Sequence, residues 1–424
     1  MLLLTVLILS LLAVVNYRIG NRKLLYPPVV FCSIWAADLV LVLLAGEFFY
    51  AISAKTLAIL TLGCLCFSFG SLIACLLPLA NPHETRNLNA SNRIINCLLF
   101  LMFCSLPLVY HWISSIAESF SASNFFLSAY RALNAAYEYG EQSIIVGNLI
   151  TLAPTVAMIC ICERVEHGKR ALFSYFLAFG ITAMTGGRGA MVTMILGLIS
   201  IEWMRTRKLS LKIIAPALTA LLIGVCALAI LVHKGEATEE MSISENIKPV
   251  AEGLVTYAAG GIPAFSQVVE QPAVIAHNWQ IYNPALLILN HLGAHFDVPG
   301  THAEFLAIGP NGSTTNVYTI YFAYIDFGWP VVMLFICGIG FVVGIVYMHA
   351  LSGHKIATVL YSYLFTSMLL SPFADFFFMG LNYSSKLIAV SWIVYALPVR
   401  WLHFRALCSR SIVSNHPQNR YDTA

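Results

Sequence analysis

Charge is what this chain has least of. Only 10% of its 424 residues are Asp, Glu, Lys or Arg, against 59% apolar, whereas a soluble domain carries about 25% charged residues. Apolar runs recur along the whole length, so a large soluble domain is excluded and an integral membrane protein is implied. Residues 1–16 lack a basic leader and a small-residue cleavage site, and therefore read as a retained first span. No repeat of about 20–50 residues is visible, and no low-complexity tract. Cysteine is present, at 11 residues, but without a disulfide framework. All except Cys408, in the basic tail, lie in apolar runs and read as small buried hydrophobes.

What the chain does have is long apolar runs. A helix needs about 20 such residues to cross the hydrocarbon core. Spans are predicted at 1–16, 27–46, 56–79, 94–115, 143–162, 171–186, 189–203, 213–232, 317–349, 356–373 and 386–402, the first, sixth and seventh being short. The expectation is an all-α polytopic membrane protein with about eleven transmembrane helices. Residues 1–232 form spans one to eight with an outer loop at 116–142. A large outer loop follows at 233–315, then spans nine to eleven within 316–402, and a polar tail at 403–424.

Orientation follows from the distribution of Lys and Arg. One set of connections carries Arg18, Arg22, Lys23, Arg86, Arg93, Arg164, Lys169, Arg170, Arg205, Arg207, Lys208, Lys212, Lys355, Arg400, Arg405, Arg410 and Arg420. The alternate set carries only Lys55, Arg131, Arg188, Lys234, Lys248 and Lys386. The rich set is expected in the cytoplasm, with the C-terminus inside and the N-terminus outside. Both long connections then face outward, where long loops tend to carry function.

Within "MTGGRGAM", residues 184–191, Arg188 is flanked by Gly186, Gly187 and Gly189. Glycine permits a tight turn and close backbone approach to a ligand. The seventh helix would open there, presenting free N–H groups and a positive dipole end to an anion. A guanidinium adds a fork of donors matched to phosphate. The plainer reading is an arginine that snorkels to anchor a helical hairpin. Arg131 is the only basic residue of 116–142, in "SAYRALNAAYEYG". It is either a second phosphate ligand or a solvated partner of Glu138.

The ninth span opens with "GSTTNVYTIYFAYIDFGWP". Thr314, Thr315 and Asn316 are expected to cap that helix. Tyr318, Tyr321 and Tyr324 would then fall roughly on one face, and Asp326 about 15 Å deeper than Asn316 at 1.5 Å per residue. An acid at such depth is a functional candidate or a structural bond to a neighbouring helix. In "NHLGAHFDVPGTHAEF", His291, His295, Asp297, His302 and Glu304 are too loosely spaced for a convincing metal site. The readings left are one of these histidines as a base or hydrogen-bond donor, or plain loop polarity. No metal and no cofactor are expected.

Four stretches carry a resemblance that spans nearly the whole chain: "YPPVVFCSIWAADLVL" in the second span, "TGGRGAMV" at 185–192, "GLVTYAAGGIPAF" at 253–265 and "TNVYTIYFAYIDFG" at 315–328. In this order, with a large outer loop before the last, they resemble the oligosaccharide repeat-unit polymerases, the Wzy-type O-antigen polymerases of the bacterial inner membrane. The resemblance implies a lipid-linked glycan polymerase architecture of GT-C-like type with its large loop in the periplasm. It implies transfer of a glycan from undecaprenyl diphosphate to the non-reducing-end hydroxyl of a new lipid-linked repeat unit. The partners implied are the undecaprenyl-diphosphate-linked donor and acceptor, membrane lipids and a chain-length regulator protein, with no nucleic acid. On this reading Arg188, Arg131 and His302 are the expected catalytic residues. Gly187, Gly189, Thr315, Asn316, Tyr318, Asp326 and Tyr257 are expected to bind substrate. Related O-antigen ligases carry a His-Asn pair where this chain has Thr315-Asn316, so either the base comes from elsewhere, His302 being the choice, or base catalysis matters less here.

Three rival readings have visible signatures. A flippase or other transporter tends to show related halves and ionisable residues near the midplane; no repeat is seen, and only Asp38 and Asp326 stand out within spans. Another branch of lipid-phosphosugar glycosyltransferases places acidic residues in the first outer loop, where "GEFFYAISA" offers only Glu47. An O-antigen ligase is the nearest rival, and the missing histidine argues against it.

Overall fold

The computed structural model describes residues 1–77, 90–118, 128–129, 132, 144–163, 168–184, 188–208, 215–216, 219, 223–224, 243–271, 285–286, 289–290, 292–296, 305–316, 319–321, 324–378 and 380–397. Helices dominate, because a chain without water around it must satisfy its backbone within each segment. They are α1 (Leu2–Ile19), α2 (Pro27–Ala45), α3 (Ala54–Leu76), α4 (Asn92–Ala117), α5 (Ile144–Cys162), α6 (Gly168–Met184) and α7 (Arg188–Thr206), then α8 (Ile243–Ala259), α9 (Gly261–Glu270), α10 (Tyr324–Leu351), α11 (Lys355–Leu370) and α12 (Leu381–Tyr395). Among the described residues, five are long and apolar enough to cross a membrane: α1, α2 with its 3₁₀ extension to Phe48, α3, α4 and α10 from Phe327. The chain is a membrane protein of apolar helices. The expected eighth span, 213–232, falls almost wholly outside the described residues.

Local sequence sets the helix starts. Pro27 and Pro28 open α2, where a missing N–H costs nothing. The Ser53 hydroxyl accepts from Thr56 N–H at 3.1 Å to cap α3. Ser91 does the same for α4 through Ile94 N–H at 3.4 Å. On α1, Leu3, Leu4, Leu7, Leu11 and Val14 are exposed while Leu9 and Ala13 are buried, so one face meets the apolar surroundings and the other meets protein. Inside the bundle the few polar groups pair. Asn16 on α1 donates to Ser68 Oγ on α3 at 3.0 Å, and Ser68 donates on to Cys64 O at 2.7 Å.

The tightest seam joins α3 to α10. A Cβ added at Gly70 would overlap the carbonyl oxygen of Cys337, and one at Gly340 would overlap that of Phe67. A Cβ at Gly344 would lie 2.7 Å from Ala74 Cβ. Small residues let two backbones approach this closely, which is how helices associate where lipid removes the hydrophobic drive. From the Phe67–Gly340 contact to the Ala74–Gly344 contact both helices advance, so α3 and α10 are parallel, the sense expected of the third and ninth spans.

The connections gather at two ends. At one, Arg207 Nη2 donates to Leu351 O at 2.6 Å, Lys355 pairs with Glu163 at 2.8 Å, and Tyr395 OH donates to Glu163 at 2.9 Å. Arg170 Nη1 donates to Asn92 Oδ1 at 2.7 Å, and Ser91 N–H to Val394 O at 3.1 Å. This end also holds Arg18, Arg22, Lys23, Arg93, Lys169, Arg205 and Lys208. At the other end, Tyr50 N–H donates to Ile308 O at 2.8 Å, Ser53 N–H to Ser266 Oγ at 2.9 Å, and Ile320 N–H to Ser371 O at 3.2 Å. Its described basic residues are Lys55, Lys248 in α8, Lys386 and Arg188 at the start of α7.

Two expectations are corrected. Thr314, Thr315 and Asn316 do not cap a helix: they form strand β2, antiparallel to β1 (Phe305–Ala307), with Leu306 opposite Thr315. The cause is the turn Gly309-Pro310-Asn311-Gly312, closed by Ile308 N–H to Ser313 O at 2.8 Å, with Gly312 at φ +76°. Threonine suits a strand because its β-branched side chain packs on a pleated surface. The helix begins only at Tyr324 and is broken again at Gly328, φ +70°. Residues 316 to 326 therefore do not form one continuous helix, and neither the 15 Å descent to Asp326 nor the single tyrosine face follows.

Candidate functional site at the sparsely charged end

Four segments build a platform here: the α2–α3 connection, the α8–α9 corner, the β1–β2 hairpin and the loop 371–378. Gly261 lies so close to the Pro372 carbonyl oxygen that a Cβ would overlap it, which places the start of α9 directly on that loop. The rest of α9 buries Ile262, Phe265, Val268 and Val269. Its polar face is used as well. Ser266 Oγ receives Ser53 N–H and also Thr56 Oγ1 at 3.2 Å, and Gln267 Nε2 donates to Ala307 O in the hairpin. The hairpin turn presses on the α2–α3 connection, because Gly309 lies against Phe48 O.

Beneath the platform is an aromatic cluster. Phe265 stacks on Tyr321 at a ring separation of 5.3 Å and meets Tyr324 edge-on at 5.6 Å. Tyr321 also meets Trp35 edge-on at 5.2 Å, and its hydroxyl donates to Leu60 O at 3.2 Å. Lys55 holds a fixed cation at the rim. Its Nζ donates to Val269 O at 3.4 Å and lies 5.8 Å from the Tyr324 ring centre. Offset and edge-on ring contacts of this kind add to area burial, so the cluster is a rigid base.

Two carboxylates are buried near this end. Asp375 in the loop 371–378 accepts from Phe377 N–H at 2.9 Å and from Phe378 N–H at 3.1 Å, which fixes the loop. Asp38 on α2 is 5% exposed, and no described residue is hydrogen-bonded or ion-paired to it. Trp35, one turn away on the same face, has a buried Nε1 with no described partner. Asp38 lies about 10 Å along α2 from its end at Ala45, at 1.5 Å per residue.

Of the residues singled out in the sequence, Tyr257 and Thr315 belong to the platform. Tyr257 is half-buried against Phe373, rings 5.2 Å apart, and Thr315 is buried in β2. Asn316 is the last residue of β2, and Asp326 lies in the first turn of α10. Arg188 is the first residue of α7, a helix packed on α5, α6 and α11. The side chains of Asn316, Asp326 and Arg188 are outside what is described. Gly189 is exposed, and a Cβ there would meet nothing within 4 Å, so packing does not demand glycine at that position. Arg131, Gly187, Tyr318 and His302 lie outside the described residues, as do His291, Asp297 and Glu304; His295 is exposed.

Sequence reasoning missed Trp35, Lys55 and Phe265. Their roles arise from contacts between residues 56 to 286 positions apart, which no local pattern reports. The helices α8 and α9 within 233–315 had a visible signal, namely the apolar periodicity of "GLVTYAAGGIPAF". No protein-family model matches the chain, and neither a curated protein nor a solved structure does.

Proposed function

We propose that the chain is an oligosaccharide repeat-unit polymerase of the O-antigen class, acting at the sparsely charged end. We assign that end to the periplasmic face of a bacterial inner membrane, with the N-terminus periplasmic and the C-terminus cytoplasmic. One observation carries the reading: segments from the 233–315 connection are built onto the helix ends opposite the basic end, and α7 opens at that same end with Arg188. A surface-facing enzyme needs such a platform for its sugars beside a site for the lipid diphosphate.

In the proposed reaction the acceptor hydroxyl oxygen attacks the anomeric carbon of the donor glycan. A new glycosidic C–O bond forms as the bond to the diphosphate breaks, and undecaprenyl diphosphate leaves with the electron pair. The hydroxyl proton passes to a base, for which His302 is the candidate. Arg188 and Arg131, with the first N–H groups of α7 and the backbone at Gly187 and Gly189, would stabilise the charge growing on the leaving group. Tyr257, Thr315, Asn316, Tyr318 and Asp326 would orient the sugars. The donor bond supplies the energy, so no cofactor is called for.

Lipopolysaccharide banding in a strain lacking the gene tests this. Core bearing a single repeat unit is the polymerase result, and core alone rejects it in favour of a ligase or a flippase. Asp38 favours a transporter as the second reading, since an ionisable group within a span often marks a transport path. Complementation with Asp38→Asn separates the two. A polymerase that uses the platform retains polymer, whereas a flippase relying on that carboxylate gives core alone.

A further inference from the structure

The basic end contains a groove of about 420 Å³ lined by Tyr17, Arg22, Lys23, Leu24, Trp203 and Arg207. We propose that this groove binds a phosphate group, and that its natural source is the headgroup of an anionic lipid. The proposal is independent of glycan transfer, because the groove is at the opposite end from the platform.

Three cations line one cavity. The ion pairs at this end among described residues use Arg205 with Glu202 and Lys355 with Glu163, and none reaches Arg22, Lys23 or Arg207. A general bias of Lys and Arg toward one side accounts for their number and not for their convergence. The backbone adds a second observation. Asn21, Arg22 and Arg207, at φ +53°, +60° and +58°, are the only non-glycine residues with positive φ among those described. All three flank this groove, on two segments far apart in sequence. Left-handed backbone at residues with side chains is unfavourable and tends to cluster at ligand clamps.

The side chains are preset as well. Arg207 is held by Leu351 O, by Met204 Sδ at 3.7 Å and by the Trp203 ring at 5.6 Å. Partial burial pushes the Lys23 ammonium below its ordinary range, and the Arg207 guanidinium adds to the push. A bound anion would relieve both. Two features point to a lipid as the source: Ile19 and Leu24 beside the cations are 50% and 53% exposed, and Tyr17 and Trp203 are the amphipathic rings that suit headgroup depth. Basic pockets between helices on this kind of face bind phosphate-bearing headgroups.

The test uses the purified full chain in phosphatidylcholine nanodiscs, with thermal unfolding as the readout. Titrating in phosphatidylglycerol should raise the midpoint saturably. Arg22→Gln with Lys23→Gln, which spares the structural bonds of Arg207, should weaken the apparent lipid affinity at least about tenfold. Arg93→Gln with Lys208→Gln, at the same end but outside the groove, should leave it unchanged. A parallel arm adds inorganic phosphate to the phosphatidylcholine discs. A response there, lost in the groove variant and without a phosphatidylglycerol effect, assigns the site to a free phosphate. Equal loss in both pairs of variants, or no response in either arm, overturns the proposal.

Discussion

Arg188 opens α7 at the sparsely charged end, and its proposed role turns on geometry more than on charge. On the proposed function its fork meets phosphate oxygens whose charge grows as the glycosidic bond breaks, so the contact strengthens in the transition state. Lysine keeps the charge and loses the bidentate fork, which is not a conservative change at such a site. Arg188→Ala is expected to abolish polymer and Arg188→Lys to leave a small fraction, at normal protein levels. Loss of one charged donor of this kind costs about 3–4 kcal/mol, or roughly 10²–10³ in rate. If Arg188 only anchors a hairpin, lysine snorkels equally well, and near-normal polymer from that variant removes it from the site. The sequence singles out Arg188 as a lone charge among glycines, and the structure places it at the first residue of α7. Lys55 was not legible there, since its meaning comes from the Tyr324 ring and the Val269 carbonyl, which folding brings to it.

Helices and turns were legible to different degrees. Apolar runs named the places where helices form, because in lipid a single segment satisfies its own backbone only as a helix. The hairpin was misread as a helix cap although "PNGST" contains the Asn-Gly pair that marks hairpins; threonine serves both caps and strands, and only the partner strand decides. The α3–α10 seam gives a stability prediction. Gly340→Leu forces the Phe67 backbone away and should cost at least about 1–3 kcal/mol, the usual penalty for overpacking. Gly338→Ala, where a Cβ meets nothing within 4 Å, should be neutral or stabilise by up to about 1 kcal/mol. Denaturant or thermal melts in detergent separate the two, and equal effects would refute the seam. At the start of α11, His354 Nδ1 accepts from Ala357 N–H at 3.2 Å, which requires a neutral imidazole. Burial, then the neighbouring His349, holds its pKa below the ordinary 6.5. A depressed folded pKa means the cap contributes fully above the unfolded value and is lost as pH falls through the folded one. The wild type should therefore lose about 1 kcal/mol, the worth of a cap, on acidification below that value. His354→Asn, which keeps a capping oxygen without a titratable ring, should lose less. A parallel decline of both proteins would show that the cap is not the sensitive group.

The whole molecule is organised by the contrast between its two ends. Ten described basic residues share the end where Arg207 meets Leu351 and Lys355 meets Glu163, and the other end carries four beside the platform. This asymmetry was legible in the sequence, because charge bias survives any error in span boundaries. The platform was not, since it is assembled from four segments that no periodicity connects. A membrane potential and the insertion machinery both favour Lys and Arg in the cytoplasm, so the basic end should be the cytoplasmic one. Reporter fusions after Lys208 and Lys355 are therefore expected to read cytoplasmic. Fusions at Asn311, in the hairpin turn, and at Glu240 should read periplasmic. The hairpin is tied to the α2–α3 connection through Tyr50 and Ile308, so a fusion at Glu47 should agree with Asn311. A cytoplasmic signal at Asn311 with a periplasmic one at Lys355 would invert the molecule, leaving the platform without access to lipid-linked glycans outside the cytoplasm and the proposed reaction without its substrate.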